Sequence, residues 1–178
     1  MKNTLIFILT LMLCASCKFG EENQSVSIDT PQEVKQQEKK ADDRADQSFI
    51  DGMTGKLFHN YLEIKMALAN EDPDQVKAIA KNMAASFTEE RSELKNYANS
   101  LADSNNIDQQ RSLFAKLTKS IGSMFEDALN KGTIYQKFCP MAFNNEGAYW
   151  YADISNDKNP YFGDKMPDCG KVTKTISK

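Results

Sequence analysis

Between residues 48 and 130, apolar side chains recur at the spacing of an α-helix in three successive runs. Phe49, Met53, Leu57, Tyr61, Ile64 and Leu68 form one stripe. Val76, Ile79, Met83, Phe87, Leu94, Tyr97 and Leu101 form a second, and Leu113, Phe114, Leu117, Ile121, Phe125 and Leu129 a third. A stripe of this period is a face that must be buried against another such face. The breaks carry cap and turn chemistry. Asp72 is a natural N-cap and Pro73 fits the first helical position. Asp103-Ser104-Asn105-Asn106 is a run of turn formers. The spacing predicts helices over about 48–70, 73–101 and 108–130, the last closed by Lys131 and Gly132. Short links favour antiparallel neighbours. The expected fold is mainly α, an antiparallel three-helix bundle.

After Gly132 the period changes. Thr133 to Cys139 and Ala148 to Ala152 are β-branched and aromatic, short, and bounded by turn residues, as strands or extended segments are. Asn144-Asn145-Glu146-Gly147 is the expected turn between them. Asn159-Pro160 and Gly163 bend the chain again, and Val172 to Ile176 reads as a last extended piece. The bundle therefore acquires a small extended or β C-terminal cap. Residues 48–178 are expected to form one domain.

This cap concentrates sulfur. Cys139-Pro140-Met141 stands at one end and Met166-Pro167-Asp168-Cys169 at the other, with Tyr149, Trp150 and Tyr161 between them. Two readings are open. Cys139 and Cys169 can form a disulfide, with Met141 and Met166 as core fillers. Alternatively, Cys139, Met141, Met166 and Cys169 can ligate a soft cation such as Cu(I) or Ag(I), which thiolates and thioethers select. Zinc is a poorer match, because thioethers are weak zinc ligands and the chain has a single histidine. That residue, His59, falls beside the apolar face of the first helix and reads as a surface side chain.

The N-terminus is set aside from fold reasoning. Lys2 precedes the apolar run Leu5 to Leu13, which is too short to span a bilayer. Ala15 and Ser16 then precede Cys17. This pattern resembles the lipobox of bacterial lipoproteins. It implies a signal peptide over 1–16, lipid on Cys17, and anchoring to a bacterial membrane, with the outer membrane as the expected host and a periplasmic or surface face. Residues 17–47 are rich in Glu, Gln, Lys and Asp and read as a polar tether. As a flexible coil it would reach roughly 30 Å.

The net charge of −3, with no basic face carrying interleaved aromatics, argues against nucleic acid as a partner. One histidine, no Ser/His/Asp order and no CxxC leave no catalytic mechanism to name. The expectation is a binding protein and not an enzyme.

The segments Ile134 to Ala142, Gly147 to Trp150, Asn159 to Met166 and Cys169 to Val172, together with Gln110 to Thr118, closely resemble one family. It is a domain of unknown function found alone in small bacterial envelope lipoproteins. It also occurs as an extra domain on periplasmic adaptor subunits of copper and silver efflux pumps. The resemblance covers about residues 48–178. It implies a cell-envelope setting, Cu(I) or Ag(I) bound at Cys139, Met141, Met166 and Cys169, and a part in metal buffering, sensing or hand-over to efflux. The partner it implies is an efflux adaptor or another envelope protein. The Cys-Pro-Met triplet is similar to the metal-binding module of copper ATPases, but Ala142 stands where that module has a histidine. The alternative function is a non-metal interaction module, stapled by a Cys139–Cys169 disulfide and docking on envelope or efflux components.

Overall fold

A computed structural model describes residues 47–178. The leader over 1–16, Cys17 and all of the tether but Gln47 lie outside the described residues.

Four long helices build the domain: α1 (Gly52–Ala69), α2 (Pro73–Ala84), α3 (Ser92–Asp103) and α4 (Ile107–Ala128); a fifth, of a single turn, covers Ala142–Asn145. The three-helix expectation is corrected here, because the long second helix is two. Ser86 N and Phe87 N bond back to Met83 O and Ala84 O, three residues behind, which tightens and ends α2. Thr88 is extended (φ −77°, ψ 169°), and a single 3₁₀ turn at Glu89–Arg91 leads into α3. Phe87 stays buried throughout, so the apolar stripe runs through a break that it does not reveal.

The caps explain the other helix starts. The Asp51 carboxylate accepts from Thr54 N at 2.7 Å, Asp72 from Gln75 N at 2.9 Å, and Asn106 from Gln109 N at 2.9 Å. Each satisfies one of the amides that a helix N-terminus leaves unpaired. Helix α1 begins later than expected. Ser48–Phe49 is instead a short strand, β1, pairing antiparallel with β2 (Leu129–Lys131). Helix α4 ends at Ala128, before Lys131, and Gly132 takes a left-handed turn (φ 90°) into the sheet.

The core lies between α1 and α4. Leu57, Tyr61, Ile64, Leu68, Phe114, Leu117, Ile121 and Phe125 are all completely buried. Tyr61 stacks on Phe114 with ring centroids 4.8 Å apart, and Phe58 meets Phe125 edge-on at 5.0 Å. Helices α2 and α3 pair with each other and bury Val76, Ala80, Met83, Ala98 and Leu101. Each fully buried large side chain contributes about 1.5–3 kcal/mol of transfer free energy.

The extended cap is a three-stranded antiparallel sheet. Its order is β4 (Ala148–Ala152), β3 (Thr133–Cys139), β5 (Lys171–Ser177). Register sets Cys139 opposite Ala148 and Lys137 opposite Trp150. Strand β4 packs on α4, where Gly122 leaves room for the Tyr151 ring: a Cβ there would lie 2.7 Å from it. Among the described residues, no helix is long and apolar enough to cross a membrane.

Candidate functional site

The sheet brings the two sulfur clusters together. Cys139 closes the central strand and is completely buried. Cys169 sits in the turn before β5, partly exposed, its amide donating to Met166 O at 3.3 Å. The two form a disulfide with Cα atoms 5.6 Å apart, within the span such bridges require.

Asn159 holds this turn in place. It is fully buried, and all four of its polar groups are used, its backbone O accepting from Gly163 N at 3.2 Å. Its amide Nδ2 donates to Cys169 O at 2.6 Å, its Oδ1 accepts from Tyr161 N at 2.8 Å, and its backbone N donates to Pro167 O at 2.9 Å. Gly170 packs close to the buried Trp150 indole, where a Cβ would overlap the ring.

The thioethers share one cleft of about 480 Å³, with Phe143, Tyr161 and Phe162 among its walls. Met141 is 48 % exposed and Met166 is half-buried. Three consecutive left-handed residues, Phe143, Asn144 and Asn145 (φ 52°, 57° and 72°), shape one wall. Asn tolerates this region, whereas Phe does so at a cost. The reward is an edge-on contact between Phe143 and Tyr161 at 5.4 Å. Tyr161 O–H donates to Tyr149 O at 2.5 Å.

The buried Arg111 guanidinium forms the cleft floor. It donates to Pro160 O at 3.1 Å and pairs with Glu71 at 3.1 Å and Asp108 at 3.2 Å. Tyr149, which lies between the sulfur clusters in sequence, does not pack with Trp150. It alternates to the opposite face of β4 from Trp150 and packs on Phe138 at 4.5 Å, because successive strand residues point to opposite sides.

His59 stands apart, 72 % exposed by its side chain and 3.5 Å from Glu63. Among the described residues, no cluster of three or more His, Cys, Asp or Glu could hold a metal ion. A soft-metal site here would draw on thioethers and on the thiolates that reduction releases. Bonded to each other, Cys139 and Cys169 have no thiolate to give. Once reduced, they would add two soft anionic donors beside Met141 and Met166, a set that suits Cu(I) or Ag(I) and fits Zn(II) poorly.

One constellation was missed in the sequence. Asp157, almost fully buried, bridges two buried ammonium groups: Lys65 of α1 at 2.6 Å and Lys137 of β3 at 2.8 Å. Trp150 Nε1–H approaches the same carboxylate at 3.4 Å. Asp153 lies 3.7 Å from Lys65. The only sequence signal was Lys137, which alternation puts on the same side of β3 as Cys139. This cluster ties α1 to the sheet through Lys65 and Lys137.

Fold and site together define a domain of four long helices capped by a disulfide-bearing antiparallel sheet. Residues 57–132 match the model of a family described as a protein of unknown function (DUF3347). The matched stretch takes in most of α1, all of α2 to α4 and the strand β2, and stops before the sulfur-bearing sheet. No curated protein and no solved structure matches the chain.

Proposed function

We propose that this chain is a cell-envelope lipoprotein, anchored through Cys17, whose C-terminal cap binds a soft metal ion, Cu(I) or Ag(I). In this reading Cys139 and Cys169 are the strong ligands in their reduced form. Met141 and Met166 tune the site's softness and favour the monovalent state. The role is buffering, sensing or hand-over to an efflux adaptor, with no reaction catalysed. The observation that supports it is the joining of two sulfur-bearing segments: a bond links Cys139 to Cys169 across a separation of 30 residues, and the neighbouring Met141 and Met166 line one cleft. Thiols lose their protons on metal binding, so affinity should fall in acid.

The disulfide itself favours a second reading, an interaction module stapled by Cys139–Cys169 and docking on an envelope component. A thiol count before and after reduction, followed by a Cu(I) titration against a chromogenic chelator, separates the two. One tightly held Cu(I) per reduced chain, lost in Cys139→Ser and Cys169→Ser, supports the metal reading. No competitive binding after full reduction overturns it and leaves the stapled module.

A further inference from the structure

We propose that Cys169 is the sulfur at which a dithiol reductant opens the Cys139–Cys169 bond, and that the two thiols stay side by side afterwards. The chemistry is thiol–disulfide exchange with a partner that carries a pair of thiols. As a gate for metal entry this rests on the soft-metal reading above, but the exchange itself does not.

The two sulfurs are not equivalent. Cys139 is completely buried in the central strand, flanked by β4 and β5. Cys169 keeps part of its surface in solvent, in a turn whose neighbour Asp168 is exposed. Exchange requires an attacking thiolate to reach a sulfur, and only Cys169 offers that without opening the sheet. The attacking thiolate bonds to Cys169 Sγ, and the bond to Cys139 Sγ breaks. Its electron pair leaves on Cys139, which takes up a proton. The partner's second thiol, as its thiolate, then attacks the mixed disulfide. The partner leaves as its own disulfide, and Cys169 is released as a thiolate that also takes up a proton. Two electrons pass from the partner dithiol to the protein.

The second half of the proposal follows from what holds each cysteine apart from the bond. Asn159 Nδ2 grips Cys169 O, Cys169 N bonds Met166 O, and Gly170 rests on Trp150. Lys171, two residues on, pairs with Phe138, the residue before Cys139. None of these contacts uses sulfur. Breaking the bridge therefore leaves the turn docked and the thiols adjacent, able to close again or to chelate together.

The test uses the full chain without denaturant or metal, so that a failure of exchange and a failure of Cu(I) binding are read separately. The oxidised protein is exposed to glutathione, quenched with acid and alkylated, and its peptides are mapped by mass. The expected product carries glutathione on Cys169 and the alkyl group on Cys139. Glutathione on Cys139, or no thiol released until the chain is unfolded, overturns the proposal. Dithiothreitol should then release both thiols while the near-ultraviolet circular dichroism, dominated by the buried aromatics, stays native. Its collapse in step with thiol release overturns the adjacency. In the single mutants, Cys169 of Cys139→Ser should react at least about tenfold faster with a disulfide reagent than Cys139 of Cys169→Ser, as buried thiols react only through opening. Equal rates count against it, and if either variant fails to fold, the wild-type adduct map decides.

Discussion

Gly170 packs so close to Trp150 that a Cβ on it would lie 2.2 Å from the indole ring. The ring cannot yield, because Trp150 is completely buried and its Nε1–H faces Asp157. Gly170→Ala should therefore destabilise the domain by about 1–3 kcal/mol, the usual cost of overpacking. Urea unfolding followed by Trp150 fluorescence would show it. An unchanged midpoint would mean that the turn can move away, and with it Cys169.

Asp157 is expected to be the most sensitive polar position. Its loss leaves the Lys65 and Lys137 ammonium groups buried without their shared carboxylate. Asp157→Ala should cost about 3–5 kcal/mol, as removal of one partner from a buried ion pair does. Replacing Lys65 by Met as well should recover part of that loss, since it removes one stranded charge. A denaturant series on the two variants checks the sign of this recovery.

Tyr61 tests the seam between helices and sheet. Its hydroxyl accepts from Tyr151 N at 3.0 Å and lies 2.9 Å from Thr118 Oγ1. Tyr61→Phe strands a buried strand amide and should cost about 1–3 kcal/mol. Amide exchange at Tyr151 should accelerate with it; exchange as slow as in the parent would place the amide's partner elsewhere.

Glu126 supplies a pH dependence. Partial burial pushes its carboxyl up, but hydrogen bonds from Lys174 and Tyr151 prevail and hold it below its ordinary value of 4.5. The folded state thus favours the ionised form. Its contribution should be complete above about pH 4.5 and vanish as pH falls through the depressed value. The stability difference between the parent and Glu126→Gln should be flat near neutrality and shrink in acid. A difference that grew in acid would contradict the direction.

Reduction of the disulfide closing the 30-residue separation should lower stability by about 3–4 kcal/mol in the chain-entropy picture. Parallel urea curves with and without dithiothreitol measure this directly. A midpoint that does not move would mean that the surrounding contacts already restrain the loop when unfolded.

The helices were legible because period and caps agree: Asp72, Pro73 and Asn106 mark starts that the apolar stripes require. The strands after Gly132 were legible from their β-branched and aromatic alternation. The break near Phe87 was not, because the apolar phase runs from Met83 through Phe87 to Leu94 as if nothing intervened. Thr88-Glu89-Glu90, a cap-type residue followed by acidic residues, was the overlooked start signal. The pairing of Ser48–Phe49 with Leu129–Lys131 involves too few residues to leave a pattern. The Asp157 bridge joins three distant elements, and charge alone gives no hint that Lys65 and Lys137 point inward. The sulfur positions are visible in the sequence and fit either a disulfide or a soft-metal site; the bond between Cys139 and Cys169 is set by the turn around Asn159, which the sequence does not show.

The chain enters and leaves the domain at one place. Gln47 donates to Thr133 O at 2.8 Å, and Lys178 exchanges backbone hydrogen bonds with Gly132. From there β3 runs to Cys139 at its far end, roughly 20 Å away at strand rise. Both ends of the described chain thus lie at the opposite end of β3 from the disulfide. A reagent that approaches Cys169 meets the sheet at the end away from them.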